Sequence, residues 1–363
     1  MVTNPVYFYV NSIGPEGVFS VCSECLSDTT DTRAYFVRGG IGESSDFIRN
    51  VTASLEKEGI FCQRFLSFYG ERYLDGAYFP DIDVYIFDGN FVKCPVTLPD
   101  CRHYTVDLGV AARKKELFLN KILISQAMEE EKRFLKKAEK FLSTIKSIRE
   151  DTLRLSCDAV NTDKIERFVS RFIKRELGTS SSFTGREYFR MLTSFTPEGI
   201  SFPVNTLVKM CPKLYCIDDK TGTVSGSIVS QIREGAMLCG FDVVSLLSPF
   251  NKNNRSEHII IPEIGLGIIT SNNFHRYDGE CFKRISSTRF LDSEKMKKHK
   301  ARIGFNLNAE KELSGQAFYL LDEARKCREE YSEIYSRSYD KEKIQSLEKE
   351  TVKEILSYCI IGT

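Results

Sequence analysis

Four short stretches from the first half of this chain return, in the same order, in the second half. "SIGPEGVFS" (12–20) is echoed by "SFTPEGISF" (194–202), with Pro-Glu-Gly at the same place in each. "AYFVRGGIG" (34–42) returns as "LYCIDDKTG" (214–222). "AYFPDIDVYIFDG" (77–89) returns as "IIIPEIGLGIITS" (259–271), with Pro80 matching Pro262. "SIREDTLRL" (147–155) parallels "KCREEYSEI" (326–334), and Ile165 parallels Ile344. One such match is chance. Four at a nearly constant step of roughly 182 positions mark an internal repeat, and a repeat of this length requires one unit to be built twice. The copies span 1–178 and 186–363, and the Gly/Ser/Thr-rich stretch 179–185 reads as a linker. A slightly shorter step at the fourth match places a small deletion before it.

Each copy has the same pattern of elements. A short strand ("VYFYVNS", "YFRMLTS") leads to the Pro-Glu-Gly turn, and a second strand enters a loop. A helix follows, "SDFIRNVTASLEKEG" (45–59) or "GSIVSQIREGAMLCG" (226–240). In the first, Phe47, Ile48, Val51 and Leu55 share a face and Gly59 is a natural stop. A third strand comes next ("IFCQRFLSF", "FDVVSLLS"), then a short apolar fourth ("DVYIFD", "LGIIT"), as a buried parallel strand should read. The expected fold class is α/β, a tandem duplication of a βαβ-containing unit with a mostly parallel sheet. Each unit ends in a long charged helical region, about 110–177 and 292–358. That region suits an antiparallel helical hairpin or short coiled coil, or a helical layer packed on its own sheet.

The loop between the second strand and the helix bears on function. A phosphate-binding loop reads G-x-x-x-x-G-K-[ST]: glycines let backbone N–H groups approach the phosphates, lysine neutralises them, and the hydroxyl binds Mg²⁺. In the first copy the candidate ligand-binding residues are Gly39, Gly40, Gly42, Ser44 and Ser45. Counted from the paired glycines, Ser45 holds the lysine place and Asp46 the hydroxyl place, and Glu43 adds a carboxylate. In the second copy the candidates are Lys220, Gly222, Thr223, Ser225 and Ser227, with Ser225 in the lysine place and Asp218 and Asp219 at the entrance. Asp88, at the end of "VYIFD", is the candidate metal-orienting carboxylate, and the second copy has Thr270 there.

These residues resemble a family of uncharacterised bacterial tandem P-loop ATPase-like (NTPase) proteins. The resemblance covers nearly the whole chain. In the first copy it rests on Pro15-Glu16-Gly17, Gly39-Gly40-Ile41-Gly42, Phe79-Pro80-Asp81-Ile82 and Ile86-Phe87-Asp88-Gly89. In the second it rests on Thr196-Pro197-Glu198-Gly199, Gly222-Thr223, Ile261-Pro262-Glu263-Ile264 and Ile268-Ile269. It implies a P-loop NTPase fold and adenine-nucleotide binding, with ATP and Mg²⁺ as the cofactors. Both loop lysines of that pattern are replaced here.

Other features narrow the field. A formal net charge of +1 gives no strong nucleic-acid signal. No apolar run reaches the length of a membrane span, and the N-terminus does not read as a signal peptide. The 12 cysteines have no regular spacing, which fits reduced thiols and a cytoplasmic location. Cys22 and Cys25 form a lone CxxC that reads as buried thiols. His275 falls at the strand end where α/β ligands bind, and reads either as a ligand contact or as a loop histidine. Asp81 and Asp83 alternate along a strand entrance and read as solvated carboxylates. The basic stretches 113–121 and 297–311 read as solvated helix faces.

Phosphoryl transfer needs charge neutralisation at the transferring group, which neither loop supplies. The expectation is a degenerate, non-hydrolysing tandem P-loop protein with no catalytic residue, acting by binding or as a scaffold for a protein partner on its helical regions. The alternatives are an ATPase using Arg38 or Lys220 as its cation, and a small phosphate or anion binder.

Overall fold

The computed structural model describes residues 5–26, 32–91, 101–208, 210–250 and 256–361. The first half runs β1 (Val6–Tyr9), β2 (Asn11–Gly14), β3 (Gly17–Ser20), α1 (Cys22–Leu26), β4 (Thr32–Arg38), α2 (Glu43–Lys57), β5 (Gln63–Ser67), β6 (Gly70–Phe79), β7 (Val84–Asp88), β8 (Cys101–Asp107), α3 (Lys114–Leu119), α4 (Lys121–Cys157) and α5 (Thr162–Glu176). The second runs β9 (Glu187–Met191), β10 (Ser194–Thr196), β11 (Gly199–Ser201), β12 (Lys213–Asp218), α6 (Thr223–Leu238), β13 (Val243–Leu247), β14 (Ser256–Ile261), β15 (Leu266–Ser271), β16 (Lys283–Ser286), α7 (Ser293–Arg337) and α8 (Lys341–Ile361). Apart from α1 and α3 the two successions are the same. No helix among the described residues is long and apolar enough to cross a membrane.

The fold is α/β with one 12-stranded sheet, in the order β16-β12-β15-β14-β13-β9-β1-β5-β6-β7-β4-β8. Within each half of this sheet every strand but one shares a direction; β6 and β14 run antiparallel to both neighbours. The halves meet where β1 and β9 pair antiparallel at Tyr9 and Met191. Just beyond, Ser12 Oγ and Ser194 Oγ, 182 positions apart, lie 2.9 Å from each other. The Pro-Glu-Gly motifs turn the β2–β3 and β10–β11 hairpins. Glu16 pairs with Lys146 of α4 at 3.6 Å, and Glu198 pairs with Arg325 of α7. Pro80 and Pro262 open single 3₁₀ turns at Pro80–Ile82 and Pro262–Ile264, ahead of β7 and β15. Asp83 accepts hydrogen bonds from the Thr32 and Tyr78 hydroxyls, and Asp81 accepts one from the Phe61 N–H. The two carboxylates therefore serve separate structural contacts.

The four-strand expectation per copy omitted β6, β8, β14 and β16 of the large sheet and did not resolve the small hairpins β2–β3 and β10–β11. The reading of each helical region as a layer on its own sheet also differs from the structure. Helix α4 has 37 residues, about 55 Å at 1.5 Å per residue, so it runs past its own half. It packs antiparallel on α7, with Ala138, Leu142 and Ile145 meeting Ala317, Leu321 and Ala324 in one buried cluster. The helices that follow are exchanged. Ile165, Val169 and Phe172 of α5 pack on Ile228, Val229 and Ile232 of α6 in the second half. Ile344 and Ile355 of α8 join the core cluster of α2 in the first half, and Tyr358 Oη lies 2.8 Å from Tyr35 Oη.

Two matched polar pairs hold α4 to α7. Arg149 donates to Glu310 at 3.0 Å, and Arg328 lies 3.4 Å from Glu131. The guanidinium of Arg149 lies over Phe250 and Phe274, at 4.4 and 4.8 Å; that of Arg328 lies over Tyr69 and Phe91, at 4.5 and 4.1 Å. Glu131 also accepts from the Tyr69 and Tyr331 hydroxyls. Truncating one partner of a buried pair strands the other charge in a poor solvent. Arg328→Met is therefore expected to cost about 3 kcal/mol in urea unfolding. Lys146→Met, which removes an exposed pair, should cost less than about 1 kcal/mol. Equal losses would mean that burial does not set the worth of these pairs.

Candidate functional site

The first loop is four residues long. β4 ends at Arg38, Gly42 takes φ 95°, and α2 begins at Glu43, two residues before the expected start. That conformation is open to glycine at low cost and strained for other residues. Ser44 and Ser45 consequently lie in the first helical turn, both buried. Ser44 Oγ donates to Asp88 Oδ2 at 2.8 Å, and Ser45 Oγ accepts the Leu74 N–H at 2.7 Å. Asp88 Oδ1 accepts the N–H and side-chain amide of Asn90, at 3.0 and 2.9 Å. Burial raises the Asp88 carboxyl above its ordinary value, with these hydrogen bonds opposing the shift.

The same loop is covered from the other half. Gly39 donates to Asn90 Oδ1 at 3.3 Å, and the Gly40 N–H faces the hydroxyl of Tyr339, at the corner between α7 and α8. A Cβ at Gly40 would lie 2.8 Å from the Tyr339 ring, and one at Gly42 would lie 3.1 Å from Ser332 of α7. Glu43 is paired with Lys341 at 2.8 Å, which neutralises the carboxylate noted in the sequence.

The second loop reaches a similar end by other means. β12 ends at Asp218, Gly222 takes φ 75°, and α6 begins at Thr223, three residues before the expected start. Asp219, 1% exposed, turns its carboxylate into the helix N-terminus. Its Oδ2 accepts the N–H groups of Val224 and Ser225, each at 2.8 Å, and its Oδ1 accepts from Thr221 N and Oγ1. Asp219 thus takes the place a bound anion would occupy. Thr223 Oγ1 donates to Thr221 Oγ1 at 3.2 Å, and Ser227 Oγ accepts from Gln231 at 3.0 Å. Lys220 lines a small cleft with Arg149, Thr152, Asn272 and Glu310, so the crossing helix α4 reaches the second loop. Asp218 is paired with Arg284 at 2.8 Å.

The structure gathers Gly39, Gly40, Gly42, Ser44, Ser45 and Asp88 at the ends of β4 and β7. It gathers Lys220, Gly222, Thr223 and Ser225 at the end of β12, with Ser227 one turn further into α6. The strand order sets the two groups near opposite ends of the sheet. Cys22 and Cys25 are both buried, and no disulfide joins the described cysteines.

Several polar residues near these strand ends escaped sequence reasoning. Asp75, 2% exposed, is the extra residue of a bulge in β6, and its Oδ2 accepts from Asn11 at 2.8 Å. Burial pushes its carboxyl up to about 7, with Asn11, Ser67 and Arg328 opposing and Asp88 adding. In the second half the matching bulge in β14 carries Glu257, beside His258. Thr270, in the place of Asp88, lies 3.2 Å from His275 and 3.4 Å from His258 through its hydroxyl. No protein-family model, curated protein or solved structure matches this chain.

A carboxyl whose folded pKa exceeds its ordinary 3.8 favours the folded state at low pH and withdraws that support as it ionises. Stability tied to Asp75 is fully present below about pH 4 and lost as pH rises through about 7. Asp75→Asn keeps the acceptor for Asn11 without the charge. It should be more stable than wild type at pH 8, by a margin on the order of a few kcal/mol. That margin should shrink toward zero near pH 4 in urea titrations. A margin independent of pH would assign the effect to packing instead.

Proposed function

We propose that the chain is a tandem duplication of a P-loop NTPase-like unit that has kept the scaffold and lost the chemistry, and that it works by binding rather than hydrolysis. The observation that carries this reading is Asp219, whose carboxylate already accepts the two helix N–H groups that a phosphate would need. Supporting it, the Gly40 N–H faces the Tyr339 hydroxyl, and neither loop has a lysine in the first turn of its helix. The duplication is supported by the shared succession of elements and by the 182-residue separation of the serines that meet at the seam.

A protein partner on the helical regions fits the exposed apolar side chains of α3 and the start of α4. Phe118, Leu119 and Ile122 are 75%, 81% and 72% exposed. Calorimetry with ATP and Mg²⁺ tests the reading. Wild type should show no saturable binding up to about 1 mM ligand and no phosphate release. Asp219→Gly, which gives the second loop the residue found at Gly39, should gain measurable binding of inorganic phosphate. Micromolar ATP binding with turnover by wild type would overturn the proposal.

A further inference from the structure

We propose that Glu257, His258 and His275 form a binding site for a divalent transition-metal ion of the Zn²⁺ class. One donor atom from each lies within 4.8 Å of the others. His258 and His275 are 0% and 2% exposed. His258 Nε2, His275 Nδ1 and Glu257 Oε2 are all buried without a hydrogen-bond partner. Buried polar atoms without a partner are costly unless something joins them, and two of these, His258 Nε2 and Glu257 Oε2, lie 4.0 Å apart.

The backbone creates this convergence. β14 pairs His258 with Leu246 and Ser256 with Leu247, leaving Glu257 as the extra residue of a bulge. A bulge re-aims a side chain that strict alternation would send to the opposite face, and Glu257 Oε2 lies 4.0 Å from His258 Nε2. His275 is brought back toward β15 by Asn272, whose Oδ1 accepts the N–H groups of Phe274 and His275 at 2.7 and 3.0 Å. Phe202 packs against both imidazoles, at 5.2 and 4.8 Å between ring centres.

Burial, with His275 adding for one ring and Arg149 for the other, holds both imidazoles down to about 3. Both are therefore uncharged at neutral pH, the form that ligates. Two imidazoles and a carboxylate favour Zn²⁺ over Mg²⁺ or Ca²⁺, and water completes the shell. His258 Nδ1 lies 3.0 Å from Thr270 N and 3.4 Å from its hydroxyl. Because the Thr270 N–H donates to Nδ1, ligation through Nε2 requires the proton to move to Nδ1 and that amide contact to open. The places matching Glu257, His258 and Thr270 in the first half carry Asp75, Gly76 and Asp88. The site therefore belongs to the second half alone, and it stands independently of whether either loop binds a nucleotide.

The test uses the full, untagged chain, stripped with chelator and titrated with Zn²⁺. One equivalent should bind with Kd of about 1 μM or tighter and raise Tm, while Mg²⁺ at the same concentration should not. Glu257→Gln should weaken Zn²⁺ at least about tenfold, and His275→Gln about 100-fold. Circular dichroism checks that each variant is folded. The wild-type titration needs no variant at all: absence of stoichiometric uptake overturns the proposal. So does uptake unchanged in both variants, which would place the ion on cysteines elsewhere.

Discussion

The antiparallel crossing of α4 and α7 is the interaction on which the rest of the molecule depends. The sheet seam alone is slight: β1 and β9 share a single register pair, Tyr9 with Met191. The helices supply what the seam lacks. Ala138 and Ala317 let the two backbones approach, leucines and isoleucine fill the flanks, and one Arg–Glu pair sits on each side of the crossing. A buried ion pair adds little net stability, but it is intolerant of slippage, because a shift of one turn would leave the charges of both pairs without partners. The pairs therefore set the register in which the two long helices meet. Once that register is set, the length of each helix determines where its tail falls, and each tail falls on the opposite half.

This exchange explains how the two loops are closed. A helix N-terminus presents unsatisfied N–H groups and a partial positive charge, and it must find an acceptor from ligand, water or protein. In the first half the Ser44 and Asp46 N–H groups donate to the Gly40 and Gly42 carbonyls, and cover for the loop comes from the corner between α7 and α8, where Tyr339 packs on Gly40 and Lys341 pairs with Glu43. In the second half the acceptor comes from within the loop, through Asp219. One scaffold thus reaches two internal solutions. The first depends on the crossing helices being in place, and the second does not.

Much of this architecture was legible in the sequence. The constant repeat step foretold matching successions of elements, because Pro80 and Pro262, the two Pro-Glu-Gly turns and the loop glycines each impose a local geometry wherever they occur. The amphipathic stripe of Phe47, Ile48, Val51 and Leu55 specified α2 and its buried face. The omissions have physical causes. β6 and β14 carry bulges that break the period of two, and β6 also exposes Glu71 and Arg72, so neither reads as a strand. The early starts of α2 and α6 follow from Gly42 and Gly222, whose positive φ ends the loop. The partners of α5 and α8 were not legible, because a stripe shows that a helix buries one face without showing against what. Asp75 and the pair His258 and His275 are brought together by bulges and turns that leave no spacing signature.

Comparison of matching places shows where the two halves agree. Arg149 and Arg328, Glu310 and Glu131, and the aromatic rings beneath each guanidinium occur in both. Ser45 is matched by Ser225, but other loop and strand-end polar groups differ: Gly39 against Asp219, Asp88 against Thr270, Asp75 against Glu257. If the strand ends set the common demand on the two units, the agreement would lie there. It lies instead at the crossing of α4 and α7, where a charge left unpaired is costly. The requirement the halves share is thus to hold the crossing helices in register, while their strand ends settle their polar groups in different ways.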